Sequence, residues 1–181
     1  MESFDRKQIG KGKWLSLSEI HFKDAKGIPR VWEAADRINS CGAVMIAAKL
    51  IPSGKLILIR QFRPPAGKNI LEFPAGLIDP GETAEMAAVR ELKEETGYSG
   101  KVISVSCPGY SSPGLTGETV SLAKMEVLES EQGELQTDFD ECENIETLLV
   151  DPEKLPELFE QEFSAGNGVD AKLLTYGSLL F

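Results

Sequence analysis

Three acids on one segment carry the clearest chemical potential in this 181-residue chain. Glu91, Glu94 and Glu95 lie three and four positions apart within TAEMAAVRELKEETG (83–97). On a helix, residues at that spacing share a face. At roughly 100° per residue, Ala84 and Ala87 fall on the same side. Val89, Leu92 and Thr96 fall on another side, expected to pack on a sheet. Carboxylates crowded beside small residues repel one another, and unpaired their pKa values rise. A hard divalent cation relieves that repulsion, and oxygen-only ligation suits magnesium, with manganese as the second choice. The competing reading is a solvated helix face with Arg90 and Glu94 as an i,i+4 ion pair. The preceding segment, FPAGLIDPGE (73–82), favours the metal. It reads as a loop whose Gly76 and Gly81 allow close backbone approach. A loop carbonyl can then join the carboxylates around an ion.

Other chemistries are poorly supplied. His21 is the single histidine, which leaves no histidine relay and no multi-histidine zinc site. Cys41, Cys107 and Cys142 show no metal-ligand spacing and are expected to be reduced thiols. The net charge of −10 argues against a general nucleic-acid binder. The acid is concentrated between Glu126 and Glu162, where 14 Asp/Glu meet one base, Lys154; the rest of the chain, with 15 acids and 18 bases, stands at +3. A body so nearly neutral can still receive a small anion.

Elements must position these residues. KWLSLSEIHF (13–22) and RVWEAADRI (30–38) read as strands around a Gly/Pro turn. CGAVMIAAKL (41–50), KLILIRQFRP (55–64) and NILEFPAG (69–76) follow as strands, the last ending in a Pro/Gly bend. The central helix spans 83–97, with Asp79 and Glu82 at or before its start and Gly97 as its left-handed stop. KVISVSCPGY (101–110), ETVSLAKMEV (118–127) and ENIETLLV (143–150) are further strands. Two helices close the chain: 151–163, with Asp151 as cap and Pro152 in its first turn, and 169–181, interrupted by a glycine. Strands, one helix, strands, then helices do not alternate as a doubly wound fold does. The expected arrangement is α+β or a layered α/β/α, with a mixed sheet. No repeat and no dividing linker is visible, although residues 1–40 may be set apart as a strand layer of their own. No run of 18 apolar residues and no apolar leader is visible, so no membrane contact and a cytoplasmic location are expected.

The central motif resembles the Nudix box. Gly76, five residues, Glu82, seven residues, then Arg90-Glu91-Leu92-Lys93-Glu94-Glu95-Thr96-Gly97-Tyr98 follows its spacing; Tyr98 stands where an aliphatic residue is more usual. The resemblance implies a Nudix α/β/α sandwich, a strand-loop-helix catalytic element, and hydrolysis of a nucleoside diphosphate linked to another group. It implies that Glu91 and Glu95 bind metal, that Glu94 assists, and that the carbonyl of Ala75 is a further ligand. Arg90 would orient glutamates.

RQFRPP (60–65), EFPAGLID (72–79), Pro113, GKW (12–14), RVWE (30–33) and DAKLLTYGSL (170–179) are similar to the ADP-ribose and nucleotide-sugar pyrophosphatase branch. In that branch, matching aromatics stack on the nucleobase, a role that falls to Trp14 and Trp32; burial in the core is the alternative for each. The branch exchanges N-terminal strands between subunits, which implies a homodimer, with residues 1–40 serving dimerisation and base binding and residues 41–181 forming the catalytic domain. Arg37 and Arg63 are the candidate anion clamps, since guanidinium forks match phosphate or ribose oxygens; unpaired surface arginines are the alternative. Glu33, Glu72, Leu77 and Ser112 are further pocket residues by the same match. The water-activating carboxylate comes from a loop before a late strand, where Glu143 matches best and Glu141 stands two residues earlier; Glu143 is also a possible metal ligand. The resemblance implies hydrolysis of ADP-ribose to AMP and ribose 5-phosphate with magnesium. Its rivals are a broader nucleoside diphosphate-sugar hydrolase acting on GDP-mannose or ADP-glucose, and a non-catalytic nucleotide-sensing module.

Overall fold

A computed structural model describes residues 3–139 and 144–178. The chain opens with β1 (Ser3–Lys11), β2 (Leu15–Lys23) and β3 (Pro29–Arg37), which form a separate antiparallel sheet in that order. The strand β1 was not foreseen, because DRKQIGK lacks the apolar alternation that marks a strand. Its ladder on β2 is broken by two register shifts, whereas β2 and β3 pair without a break from Leu15↔Arg37 to Lys23↔Pro29. The turn between them is made by Asp24, whose carboxylate accepts from the backbone N–H groups of Lys26 at 2.8 Å and Ile28 at 2.9 Å.

The second sheet is built from β4 (Ala43–Ile51), β5 (Leu56–Arg63), β6 (Lys68–Glu72), β7 (Ala75–Leu77), β8 (Lys101–Val105), β9 (Gly109–Tyr110), β10 (Thr119–Leu128), β11 (Ile145–Val150) and β12 (Gly168–Val169). Its order is β12-β6-β5-β4-β10-β8, with β11 on β5, β7 on β4 and β9 on β10. The β4–β10 and β6–β12 pairs are parallel and the others antiparallel, so the sheet is mixed, as expected. Two expected strands divide. The 69–76 segment breaks at Phe73–Pro74, and the 101–110 segment breaks around Pro108. Proline has no N–H for a ladder, so each break follows from the residue. The Pro74 carbonyl instead accepts from Ile46 N–H at 2.8 Å, pinning the bend between β6 and β7 to β4.

Three helices cover the two faces: α1 (Ala84–Thr96), α2 (Leu155–Ser164) and α3 (Ala171–Ser178). On one face Ala87, Ala88 and Leu92 of α1 pack on Val44, Ile46, Ala48 and Leu50. On the other, Leu155, Phe159 and Leu173 pack on Leu56, Leu58, Leu71 and Phe73. This is the expected α/β/α sandwich. Alternate residues of β4 and β5 serve opposite cores, which is why these strands read as continuous apolar runs.

Some local expectations are corrected. Val89 is 44% exposed; Ala88 replaces it on the packed face of α1. Thr83 caps α1, accepting from Met86 N–H at 3.3 Å, while Glu82 is drawn away by Arg90. Asp151 caps nothing with its side chain; a 3₁₀ turn over Pro152–Lys154 precedes α2. Gly177 does not interrupt α3. It lies inside the helix, where a Cβ would fall 2.6 Å from the Phe159 ring. Tyr98 is buried in the core beneath α1.

Candidate active site

β7 leads into a loop, and the loop returns as α1 across the same sheet. β4 and β5 pair only at Ala48↔Ile57 and Lys49↔Leu56. Beyond that point β7 takes the side of β4 and β6 takes the side of β5, and a cleft opens where they part. Its volume is about 720 Å³.

The acids of α1 face the floor of this cleft. Glu95 is only 3% exposed, and its Oε2 accepts from the backbone N–H of Ala75 at 3.1 Å. Glu91 presses against Gly76, where a Cβ would lie 1.8 Å from its carboxyl carbon. Only glycine admits that carboxylate so close to the backbone. Arg90 ties the group together. It donates to Glu91 at 2.7 Å, to Glu94 at 3.0 Å, to both oxygens of Glu82 and to the Leu77 carbonyl at 3.0 Å. Those hydrogen bonds, Glu82's above all, hold the guanidinium pKa well above its usual value. The same contact holds the Glu82 carboxyl below the ordinary range. Arg90 thus spans helix and loop and orients the glutamates.

The flanks of the cleft carry further charge. On one side stand Arg37 and Glu118, paired at 2.8 Å, with Ser111 and Val120. On the other stand Arg63 and Glu72, also paired at 2.8 Å, with Asp170 and Lys172. Burial pushes the Glu72 carboxyl up, against the downward pull of Arg63.

The structure brings Arg37, Arg63, Glu72, Ala75, Leu77, Glu91, Glu94 and Glu95 to one cleft. Trp14, Trp32, Glu33 and Ser112 are not among its lining residues. The two tryptophan rings are 68% and 53% exposed, so neither is a core residue. Trp32 Nε1 donates to the Gly114 carbonyl at 3.0 Å, which holds the 111–117 loop against the first sheet. Glu141 and Glu143 lie outside the described residues. Glu118, Asp170 and Lys172 were not foreseen. Each is one charge among many in the sequence, and only strand pairing carries it to the cleft.

The donor set suits a hard divalent cation. Glu82, Glu91, Glu94 and Glu95 outnumber Arg90, their nearest cation, and every donor is oxygen. Among the described residues no three acids already form a metal cage, since Arg90 holds Glu91 and Glu94. The buried Glu95 and the space that Gly76 leaves for Glu91 nevertheless fit such an ion, with the Ala75 amide held against Glu95 on β7.

Comparison with known proteins agrees with this geometry. The family model for the NUDIX domain matches residues 40–169. The chain is 39% identical over 184 residues to a putative nudix hydrolase 2 of Caenorhabditis elegans, covering 96% of this chain and 82% of that protein. It is 38% identical over 177 residues to an ADP-ribose pyrophosphatase of Saccharomyces cerevisiae, covering 92% and 77%. The crystal structure of an ADP compounds hydrolase shares the fold, with a TM-score of 0.66 at 24% identity, over 86% of this chain and 82% of that one. A matched domain over most of the length and relatives aligned nearly from end to end lead to one conclusion: the chain belongs to the Nudix family.

Proposed function

We propose that this Nudix hydrolase cleaves the diphosphate bond of ADP-ribose to give AMP and ribose 5-phosphate, with magnesium as its metal. The observation that carries the reading is the cleft itself: an acidic, glycine-cradled floor between two arginine-bearing flanks. Its volume of about 720 Å³ and its two charged flanks suit an anionic diphosphate joining two larger groups. Glu91, Glu95, Glu94 and the Ala75 carbonyl would hold the ion. Such an ion supplies positive charge against the diphosphate oxygens. Arg37 and Arg63 stand on either side to take phosphate or ribose oxygens. Arg90 keeps the glutamates clustered at the cleft floor, and its contacts with Glu91 and Glu94 would loosen as the ion enters. The water-activating carboxylate is assigned to Glu143, or else Glu141, in the sequence preceding β11; Glu143 is also a candidate metal ligand.

The names of relatives support the substrate class. One is the yeast ADP-ribose pyrophosphatase already described, and another, from Bacillus subtilis, bears the same name at 34% identity over 165 residues. A mouse relative called ADP-sugar pyrophosphatase, 36% identical over 135 residues, favours a second reading with a broader sugar range, including ADP-glucose.

The first sheet serves a homodimer in this proposal. By the unbroken β2–β3 register, Leu15, Leu17 and Val31 share one face, and all three are exposed. Trp14 and Trp32 then reach one base from two subunits, with Glu33 and Ser112 completing that pocket.

The test is nucleoside monophosphate release with and without magnesium: AMP from ADP-ribose and ADP-glucose, GMP from GDP-mannose. Turnover of ADP-ribose that requires the metal is the expected result. Absence of turnover on every member would remove the proposal, and tight binding without turnover would favour a nucleotide sensor.

A further inference from the structure

We infer that Asp170 and Lys172, with Glu72 and Arg63, form the subsite that reads the group carried on the far phosphate, and that this group is a hydroxyl-rich sugar. The inference rests on the diphosphate-hydrolase reading above.

The placement of the pair is firm. β12 runs parallel to β6, with Gly168 opposite Ile70 and Val169 opposite Leu71. Asp170 N–H then donates to the Leu71 carbonyl at 2.9 Å. Gly168 permits this approach, since a Cβ there would lie 2.7 Å from the Ile70 side chain. The start of α3 is therefore fixed beside Glu72, roughly a hundred residues away in sequence. Asp170 Oδ1 accepts from Lys172 N–H at 2.9 Å, and its Oδ2 from Lys172 Nζ at 2.8 Å. Both residues line the cleft.

The two flanks of the cleft differ in chemistry. Sheet order sets β6 and β12 apart from β10 and β9, with β5 and β4 between. That is three strand spacings from β6 to β10, about 14 Å. The β10 flank adjoins the loop tied to the Trp32 ring, so it is the side with an aromatic face to offer a base. Among the described residues, β6, β12 and the first turn of α3 carry no aromatic side chain, and Phe73, next to Glu72, is buried, edge-on to Tyr176. The β6 flank offers two carboxylates and two cations, with a formal sum of zero. Hydroxyl groups donate and accept, so a sugar can satisfy both signs. A second nucleobase would find no stacking partner there, and a second phosphate would meet Glu72 and Asp170.

The test compares ADP-ribose with ADP methyl ester, which yields the same AMP but carries no sugar on its far phosphate. The full chain, Lys172→Ala and Asp170→Asn are assayed with magnesium; asparagine keeps the acceptor that caps α3. Lys172→Ala is expected to lower kcat/KM for ADP-ribose about tenfold, in line with loss of one charged hydrogen bond, and to leave the methyl ester within about twofold. Asp170→Asn is expected to act in the same direction. Inhibition by ribose 5-phosphate weakens in both variants, and inhibition by AMP does not. Equal loss on both substrates, or no loss on either, overturns the assignment while leaving the hydrolase reading intact. Failure of the unmodified chain to cleave either compound overturns both.

Discussion

At the scale of single residues, the site depends on carboxylates held where they would otherwise repel. Glu95 is buried against the Ala75 amide, so Glu95→Gln keeps the shape and the acceptor but removes the charge. Turnover is expected to be abolished, with an unchanged circular dichroism spectrum and melting temperature; near-normal hydrolysis would remove Glu95 from the metal site. Gly76→Ala tests the cradle. The added methyl must displace the Glu91 carboxylate, and a misplacement of about 1 Å costs on the order of 100-fold in rate. Initial-rate measurements at saturating magnesium check this. Glu72 gives a pH signature. Its carboxyl is raised above the ordinary value of 4.5, chiefly by burial. A raised carboxyl favours folding while protonated, so its contribution is fully present below about 4.5 and is lost as pH rises through the folded-state value. Glu72→Gln should therefore gain stability relative to the parent as pH is raised from 4.5 to 7.5, read by urea denaturation at both values. A difference independent of pH would place Glu72 in a wetter setting than the fold shows.

At the scale of elements, the loop and α1 act as one unit because Arg90 bonds to both. On the opposite face α2 is tied to β5 by a different device. Arg60 pairs with both oxygens of Glu162, which also accepts from Asn167 at 2.8 Å. Glu162 is nearly fully buried, so Glu162→Ala would leave the Arg60 guanidinium with the exposed Glu146 as its remaining ion-pair partner. The expected loss is about 2 kcal/mol of unfolding free energy, in line with loss of a charged hydrogen bond, with KM little changed in the folded fraction because neither Arg60 nor Glu162 lines the cleft. Chemical denaturation and steady-state kinetics on one preparation separate the two effects.

At the scale of the whole molecule, the first sheet leaves Leu15, Leu17 and Val31 exposed on one face. Leu15 and Leu17 are neighbours there, Val31 lies beyond the Glu19–Glu33 pair on the same face, and exposed apolar side chains so placed suit an interface. Sedimentation equilibrium is expected to return about twice the chain mass. Replacing Leu17 and Val31 with Glu should shift the protein to monomer and raise KM for ADP-ribose, if Trp14 and Trp32 reach the base from two subunits. A monomeric parent protein with the same KM would refute this arrangement.

Much of this was legible in residue order, and the reason is locality. The Gly76–Glu95 spacing, the acidic face of α1, its Gly97 stop and the continuous apolar strands all express interactions within a turn or two of chain. The Thr83 cap was local as well, yet was obscured by the acids at 79 and 82 that compete for the same position. Strand β1 escaped notice because its pairing with β2, and not its own pattern, makes it a strand. The flanks of the cleft were least legible. Glu118 meets Arg37 across 81 positions, and Lys172 reaches the cleft only through the parallel β6–β12 pair. Contacts across such separations leave no periodic trace, because strand pairing sets which distant side chains become neighbours and the chain between them is free to vary.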